Sequence, residues 1–251
     1  MTISSLTPSI SRVASDEYLL ALDGLTARIG RDGSGWRVEM AGDGEPLFRL
    51  PHDGGAEKRA LLACKRVAEA HLAARLCIAE GCSPPDVIRV FVYGSLKPGY
   101  WNFQIVRRHL TDWREAVVQG ELYDGPGFPY ACLPPSTWLA TGTPGNAAVD
   151  LWLPECLPLG AADEAERPER RGEVVHGYLF TLADPEQAMA ALDRLEGFID
   201  PVGRGRNHYE RVLVPAFDDT TGERCLAWSY TAARRPPAGS RLWGGRWGNF
   251  A

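Results

Sequence analysis

Residues 87–93, VIRVFVY, form an almost uninterrupted run of β-branched and aromatic residues. A strand with one face in water alternates apolar and polar side chains, whereas a nearly continuous apolar run is typical of a strand buried on both faces. The run ends abruptly in Gly94-Ser95-Leu96-Lys97-Pro98-Gly99, which is a turn sequence. We therefore expect a strand inside a covered sheet, followed at once by a tight turn.

Further strands are predicted in the second half of the chain, at residues 117–123, 173–182, 209–217 and 224–232. The last two flank the turn sequence DDTTG and predict a β-hairpin. The first two each carry a glycine, Gly120 and Gly177, just before a Leu-aromatic or Tyr-Leu-aromatic segment. Glycine inside a strand marks a bulge, a bend or a close approach of two backbones, so these strands favour a small, strongly curved sheet.

The N-terminal part of the chain has a different pattern. Residues 1–20 are rich in Ser and Thr at a terminus, and we predict them to be disordered. Residues 21–83 predict a small strand-strand-helix domain, with strands at 25–29 and 36–40 and a third at 46–50. The helix covers residues 56–80, where apolar side chains recur every three or four positions, at Leu61, Cys64, Ala68, Leu72 and Leu76.

Residues 86–251 predict a second, larger domain with an insertion at about 136–171. The insertion is dense in Pro, Gly and charged residues. Since a long structureless segment is uncommon in a compact domain, we expect short strands within it. Its end, the charged sequence DEAERPERR at 163–171, predicts a solvent-exposed surface excursion.

Composition excludes several classes of protein. No apolar run approaches the ~18 residues of a membrane span, and the N-terminus lacks the charged and apolar regions of a secretory signal. A net charge of −5 argues against a broad nucleic-acid surface. None of the six cysteines forms a CxxC pair, so a zinc ribbon is not expected. These features predict a cytoplasmic protein with free thiols.

Residues 184–196 predict a helix with clear boundaries. Asp184 can cap it, Pro185 suits its first position, and Gln187 would complete a capping box. Gly197 is placed to end it. Glu196 then lies in the last turn, where the negative end of the helix dipole disfavours a carboxylate by roughly 0.3–1 kcal/mol.

The helical period also puts Glu196 on the buried side. At 100° per residue it lies close to Met189 and Leu192, whereas Arg194 points nearly opposite. Burial and the helix dipole both disfavour the charged form and raise the pKa of Glu196. A carboxylate whose pKa is raised toward neutrality suits the role of a general base near neutral pH. Position alone also allows a structural role, in which Glu196 extends to solvent or pairs with an arginine.

The turn after residue 93 is a candidate anion site. A strand that ends in Gly-Ser lets successive backbone N–H groups converge, and Gly94 has no side chain to block a ligand. Such N–H clusters bind carboxylates or a developing oxyanion. Taken alone, the same sequence is also compatible with an ordinary turn.

Several short motifs, in the same order and at similar spacing, resemble the γ-glutamylcyclotransferase-like superfamily, which includes AIG2-like proteins, γ-glutamylamine cyclotransferases and the BtrG type. The resemblance covers about residues 87–135 and 173–232. Its signature is Tyr93-Gly94-Ser95-Leu96, followed by Asn102. The other similar segments are GELY at 120–123, GFPY at 127–130, VHGYLF at 175–180, LDRLEG at 192–197 and YER at 209–211.

The resemblance implies a fold and a reaction. The fold is an α+β protein with a compact mixed β-barrel and flanking helices. Glu196 would take a proton from the α-amine of a γ-glutamyl substrate, and the amine would close on the γ-carbonyl to give 5-oxoproline and a released amine. Neither a metal nor an organic cofactor is implied, and Tyr209 would close the pocket or bind substrate. Backbone groups holding the substrate's carboxylate and carbonyl would come from Tyr93, Gly94, Ser95 and Leu96.

Three alternatives remain open at this stage. The first is a non-catalytic module that binds γ-glutamyl compounds or other small molecules on the same fold. The second is a thiol enzyme that uses Cys132 with His176. The third concerns the N-terminal unit, which could dock on the main domain, mediate self-association, or touch nucleic acid through basic side chains at Lys58, Arg59, Lys65 and Arg66. The identity of the γ-glutamyl substrate stays open as well.

Overall fold

A computed structural model describes residues 8–32, 35–40, 46–51, 57–143, 147–157, 167–169, 173–199 and 207–248. The N-terminal elements are β1 Ser9–Ala14, β2 Glu17–Leu22, β3 Leu25–Asp32, β4 Gly35–Met40, β5 Pro46–Pro51 and α1 Glu57–Ala79. The elements that follow are β6 Val87–Val92, α2 Phe103–Arg107, β7 Leu110–Gln119, β8 Glu121–Tyr123, β9 Tyr130–Cys132, β10 Ala140–Thr141, α3 Ala147–Cys156, β11 Val174–Ala183, α4 Pro185–Glu196, β12 Tyr209–Asp218 and β13 Arg224–Ala232. Within these residues, no helix is both long enough and apolar enough to cross a bilayer.

Strands β12, β13, β6, β11 and β7 pair in that order, and β7 also pairs with β12, which closes a barrel. All of these pairings are antiparallel except the one between β6 and β13, which is parallel. The short strand β10 extends the sheet at β12. The predicted fold class, a mixed barrel with flanking helices after an N-terminal β-unit, is therefore confirmed.

Strand β6 separates two apolar cores. Val90 and Val92 pack with the helices outside the barrel, whereas Phe91 and Tyr93 pack with residues of the surrounding strands. The alternation of side chains along a strand puts these two pairs on opposite faces. The predicted burial on both faces applies from Val90 onward, because the earlier residues Val87 and Arg89 are exposed.

The two strand glycines mark tight places in the barrel. A Cβ atom on Gly177 of β11 would come within 2.1 Å of the carbonyl oxygen of Val92 on the neighbouring strand β6. A Cβ on Gly120 would lie 2.7 Å from Leu133 Cδ2. The single strand predicted at 117–123 is in fact divided at Gly120 into the end of β7 and the start of β8. The expectation of close backbone approach at these glycines is confirmed.

The N-terminal unit is a five-stranded antiparallel sheet in sequential order, β1 to β5, with α1 packed against it. The prediction of disorder for residues 1–20 is wrong from Ser9 onward, because β1 and β2 occupy this segment. Leu20 and Leu22 of β2 are buried under α1 and anchor the strand. Strand β1 is exposed along its whole length, so it carries no apolar pattern and is held by its ladder to β2. Residues 1–7 lie outside the described part of the chain.

Helix α1 is buried on two sides. One side faces the N-terminal sheet and carries most of the predicted stripe, including Cys64, Ala68 and Leu72. The other side places small residues in the outer core of the barrel, at Ala70, Ala73, Ala74 and Cys77. Lys65 and Arg66 are only half-exposed, and the Lys65 ammonium lies 4.7 Å from the centre of the Tyr18 ring. Side chains at 58 and 59 lie outside the described residues.

The insertion predicted at about 136–171 contributes a helix to the core. Leu151 and Leu153 of α3 are buried in the cluster that also holds α1 and α4. Short strands were expected here, but the described part of this segment holds one two-residue strand, β10, and helix α3. The sequence does not predict this helix, because Pro154 lies inside it and the charged residue Asp150 occupies a buried position. Of the charged end of this segment, the structure describes only residues 167–169.

Candidate active site

A cavity of about 210 Å³ opens at the end of β6, against the last turn of α4. Its walls come from distant parts of the chain, namely the end of β6 and the loop after it, the segment before β9, the end of α4, the start of β12 and the C-terminal end of β13. All six residues singled out from the sequence line this one cavity: Tyr93, Gly94, Ser95, Leu96, Glu196 and Tyr209. The structure thus brings together side chains and amides that are about 100 positions apart in the chain.

Helix α4 places Glu196 at the cavity wall. Ala188, Met189 and Leu192 bury one face of the helix, and Glu196 continues that face at its C-terminal end. Gly197 ends the helix with φ 66°, and its N–H caps the carbonyl of Asp193. A left-handed residue at this position is the usual helix stop and favours glycine. The predicted end of the helix is confirmed.

The predicted start of α4 is only partly correct. Pro185 does occupy the first turn, but Asp184 adopts a left-handed conformation with φ 49° and makes no side-chain capping bond. Its carboxylate oxygen instead lies 3.2 Å from Nδ1 of the buried His109. The predicted capping box is therefore wrong, because the Asp184 carboxylate accepts a hydrogen bond from the His109 ring, which follows α2, instead of capping the helix.

Burial raises the pKa of Glu196 from about 4.5 to about 7. The exposed fraction of this side chain is intermediate, since part of its surface faces the cavity. A carboxylate that water reaches only through a small cavity loses hydration of its charged form, and this favours the proton. With a pKa near neutrality, the group can both accept and return a proton at physiological pH.

The loop after β6 offers backbone donors to the same cavity. In the described part of the chain, no hydrogen bond uses the backbone N–H of Gly94, Ser95 or Leu96 as its donor. The carbonyls of this turn are engaged, because Lys97 N–H donates to Gly94 O at 3.1 Å and Asn102 N–H to Ser95 O at 3.2 Å. The amides therefore remain available for an anionic or carbonyl oxygen in the cavity.

Two side-chain contacts hold this loop in shape. Asn102 Nδ2 donates to Ser95 Oγ at 2.9 Å. Gly94 lies so close to Pro129 that a Cβ on residue 94 would be 3.1 Å from two of the proline ring carbons. Glycine thus allows tight packing against Pro129 at this point and leaves the backbone accessible to a ligand.

The two predicted tyrosines are structural walls of the cavity. The Tyr93 hydroxyl donates to Tyr230 O at 2.7 Å, and the Tyr209 hydroxyl donates to Pro129 O at 3.1 Å. Burial, with a smaller contribution from the nearby Glu196 carboxylate, raises the pKa of Tyr209 well above its usual range. Both phenols are therefore neutral, and each uses its proton to fix a neighbouring backbone carbonyl.

A buried polar network under the cavity was not foreseen from the sequence. Tyr230, which lines the cavity, donates from its hydroxyl to Asp193 Oδ1 at 2.6 Å. Arg211 lies between two acids, with Nε 2.9 Å from Asp193 Oδ1 and Nη2 2.9 Å from Asp150 Oδ2. Burial alone would lower the pKa of Arg211, but Asp150 and Asp193 more than offset this and raise it. The network ties α3, α4, β12 and β13 together one helical turn before Glu196.

The rim of the cavity was also missed. Trp101 and Phe128 line the cavity while 59% and 38% of their surfaces stay exposed, and His208 is exposed as well. These three residues mark the side on which the cavity opens. Of these residues, the sequence pointed only to Phe128, which lies in the Gly-Phe-Pro-Tyr segment, and it gave no indication that this side chain faces solvent.

The residues of the thiol alternative have other neighbours. Burial raises the pKa of Cys132 to about 11, which disfavours the nucleophilic thiolate. Its charged neighbours are Glu121 and Arg235. His176 instead has Nδ1 3.7 Å from Asp219 Oδ2. The geometry therefore gives no support to a Cys132–His176 pair. Elsewhere in the described residues, no group of three His, Cys, Asp or Glu side chains is placed to hold a metal ion.

Comparison with known proteins agrees with the resemblance seen in the sequence. Residues 161–249 match the family described as "Gamma-glutamyl cyclotransferase, AIG2-like", which confirms the resemblance for the part of the chain that holds Glu196 and Tyr209. The match does not extend to the loop at 94–96. No curated protein matches the chain.

Solved structures with a similar arrangement share little sequence with this chain. The Arabidopsis thaliana protein At3g28950.1 is 21% identical, with a TM-score of 0.37, over 66% of this chain and 73% of its own. YkqA from Bacillus subtilis is 15% identical, with a TM-score of 0.36; the alignment covers 64% of this chain but only 39% of YkqA. A yeast γ-glutamyl cyclotransferase specific to glutathione is 16% identical, with a TM-score of 0.27, over 59% of this chain and 69% of its own.

Proposed function

We propose that this chain is a γ-glutamyl cyclotransferase that releases 5-oxoproline and an amine or amino acid from a γ-glutamyl compound. The observation that carries the proposal is that a carboxyl group with a pKa near 7, Glu196, shares one small cavity with the amides of residues 94–96. A base and a set of oxyanion donors on one cavity are the two parts that an intramolecular acyl transfer needs. The family match over residues 161–249 supports the same reaction class.

In the proposed reaction, Glu196 takes a proton from the α-amino group of the substrate. The amine reacts as –NH2: its nitrogen lone pair attacks the γ-carbonyl carbon as this proton leaves, and forms the C–N bond of a five-membered ring whose nitrogen keeps one hydrogen. The carbonyl π electrons move to oxygen, and the amides of residues 94–96 donate hydrogen bonds to the oxyanion or to the α-carboxylate. When the carbonyl re-forms, the bond to the leaving nitrogen breaks, and Glu196 returns its proton to that nitrogen.

The atoms balance without water or any other reactant, since the substrate divides into 5-oxoproline and the free amine. Because the nucleophile and the carbonyl belong to the same glutamyl unit, the protein has only to hold that unit in a bent conformation. Positioning of this kind can supply several kcal/mol of the barrier. A cavity of about 210 Å³ is of a size to enclose a glutamyl group and leave the rest of the substrate outside.

The decisive experiment is mass-spectrometric detection of 5-oxoproline from a library of γ-glutamyl amides and peptides. Replacement Glu196→Gln is expected to lower kcat by about 10²–10⁴-fold, because the amide cannot accept the proton. Glu186→Gln is the matched control: it makes the same change on an exposed residue of the first turn of the same helix and is expected to keep full activity.

Equal turnover by wild type and Glu196→Gln would refute the proposed role of this carboxylate. Tight binding of γ-glutamyl compounds by the wild type, with no 5-oxoproline formed from any of them, would instead favour a non-catalytic binding module on the same fold.

A further inference from the structure

Three of the six cysteines meet where helix α1 ends. Cys77 lies in the last turn of α1, Cys82 follows the helix, and Cys156 is the last residue of α3. Side-chain hydrogen bonds link the Cys77 thiol to both of the others. Cys77 and Cys156 are buried in the outer core of the barrel, whereas Cys82 is exposed. The cluster thus has two inner thiols and one that solutes can reach.

The turn that ends α1 explains why Cys77 and Cys82 lie together. Gly81 adopts a left-handed conformation with φ 70°, and its N–H donates to Ile78 O at 3.1 Å. The N–H of Cys82 donates to Cys77 O at 3.0 Å. These two bonds form the Schellman motif, which frequently brings into contact the side chains at the positions that the two cysteines occupy here. With standard bond lengths, the second bond also keeps the two Cα atoms within about 7 Å, which a disulfide can span.

We propose that Cys77 and Cys82 form a reversible disulfide when the protein meets a hydroperoxide, and that Cys82 reacts first. The Cys82 sulfur attacks a peroxide oxygen, the O–O bond breaks, and the products are a sulfenic acid and water or an alcohol. The Cys77 sulfur then attacks the sulfenic sulfur, the S–O bond breaks, and the departing hydroxide leaves as water with the Cys77 proton. Two thiols are oxidised by two electrons, which the hydroperoxide gains.

The arrangement of the cluster favours this order of events. Cys82 is the exposed member, and exposure is one of the two properties that make a thiol open to oxidation. Burial raises the pKa of Cys77 and of Cys156, so both inner thiols keep their protons. The second step joins groups that the fold already holds together, which accelerates it. In the described part of the chain, no three His, Cys, Asp or Glu side chains are placed to hold a metal ion, so the cluster is not a metal centre.

The disulfide would act on the junction between the two parts of the chain. The turn at Gly81 leads from α1 to β6, which is the first strand of the barrel. A covalent bond across this turn fixes the end of a helix that packs on both the N-terminal sheet and the barrel. The modification site therefore lies outside the candidate active site and does not depend on the proposed reaction.

The test is oxidation of the reduced full chain by hydrogen peroxide, followed by alkylation of the remaining thiols under denaturing conditions and tryptic mapping by mass spectrometry. The tryptic peptide of residues 76–89 contains Cys77 and Cys82 and no other cysteine. Wild type is expected to yield this peptide without alkylation and lighter by two hydrogen atoms, and dithiothreitol is expected to restore both thiols.

Three variants define the roles of the thiols. Cys82→Ser is expected to lose the disulfide. Cys77→Ala is expected to leave Cys82 as a sulfenic acid, which dimedone traps. Cys225→Ser is the control, because it removes a partly exposed thiol that has no cysteine among its interacting neighbours, and it is expected to form the disulfide as wild type does.

Two results would overturn the proposal. A disulfide to Cys156 would join the peptide of residues 76–89 to a second peptide and would show that the reacting pair is a different one. Oxidation of Cys82 to a sulfinic acid while Cys77 stays alkylatable would show that the two thiols do not react with each other.

Discussion

At the scale of single residues, the proposed reaction depends on one carboxyl group whose hydration is restricted. Glu196 sits at the end of a helix whose other inward residues are fully buried, so its charged form is disfavoured in the folded protein. Among the described residues no charged partner contributes to the shift, which comes from burial. A carboxyl group held in this way lowers the stability of the protein near and above neutral pH.

This cost can be measured through the pH dependence of unfolding. The pKa of Glu196 is raised to about 7 in the folded state from about 4.5, so the folded state holds the proton more tightly than the unfolded state. Its contribution to stability is present below about pH 4.5 and is lost as the pH rises through about 7. Urea unfolding should therefore show Glu196→Gln more stable than wild type by roughly 1–3 kcal/mol at pH 8, with little difference at pH 4.5.

Glu186→Gln on the exposed face serves as the control for this measurement and should change the free energy of unfolding by less than about 0.5 kcal/mol at both values. A stability difference between wild type and Glu196→Gln that is the same at pH 4.5 and pH 8 would contradict the raised pKa.

At the scale of elements, the barrel depends on how closely β11 approaches β6. Gly177 lies beside the backbone of Val92, two residues before the amides that face the cavity. Any side chain on β11 at this point would push the end of β6 outward, and with it the turn that carries Gly94 and Ser95. The shape of the loop at 94–96 is thus set partly by a glycine on the neighbouring strand.

Replacement Gly177→Ala is expected to destabilise the protein by about 1–3 kcal/mol, because the new methyl group would lie 2.1 Å from a backbone oxygen that cannot rotate away. Gly30→Ala in β3 is the matched control, since a Cβ there meets nothing within 4 Å. Chemical denaturation measures both variants. Equal stabilities for the two would mean that the strands separate without cost at this point.

Pattern-based reading of the sequence found the elements whose periodicity is strong. Helix α1, helix α4 and the barrel strands other than β7 agree with the prediction within a few residues, whereas β7 begins at Leu110 rather than at residue 117. Glu196 is singled out because a helix stop and a buried face coincide there. Strand β1 was missed because its stability comes from pairing with β2 rather than from an apolar face. The Asp150–Arg211–Asp193 network could not be predicted, because nothing local in the chain indicates that three such distant residues meet.

At the scale of the whole molecule, that network joins the insertion to helix α4, which carries Glu196. Asp150 comes from α3, Arg211 from the barrel strand β12, and Asp193 from α4. Asp150 and Arg211 are both fully buried, so each charge depends on the other for compensation. Removal of one partner of such a pair is costly, because it leaves an uncompensated charge in the interior.

Asp150→Asn is accordingly expected to lower the free energy of unfolding by about 3 kcal/mol. Asp112→Asn, the same replacement at an exposed position of β7, should change it by less than about 0.5 kcal/mol. Both values come from urea titration at neutral pH. A loss below about 1 kcal/mol for Asp150→Asn would indicate that α3 is held by apolar packing and that the ion pair is incidental.

Helix α1 completes two interiors, one under the N-terminal sheet and one outside the barrel. Neither long side of this helix can be turned toward water without uncovering apolar surface. A polypeptide without α1 would expose the apolar residues of α3 that pack against the helix. It would also expose the apolar face of the N-terminal sheet. The N-terminal unit therefore covers apolar surface of the barrel, and we expect the two parts of the chain to unfold together.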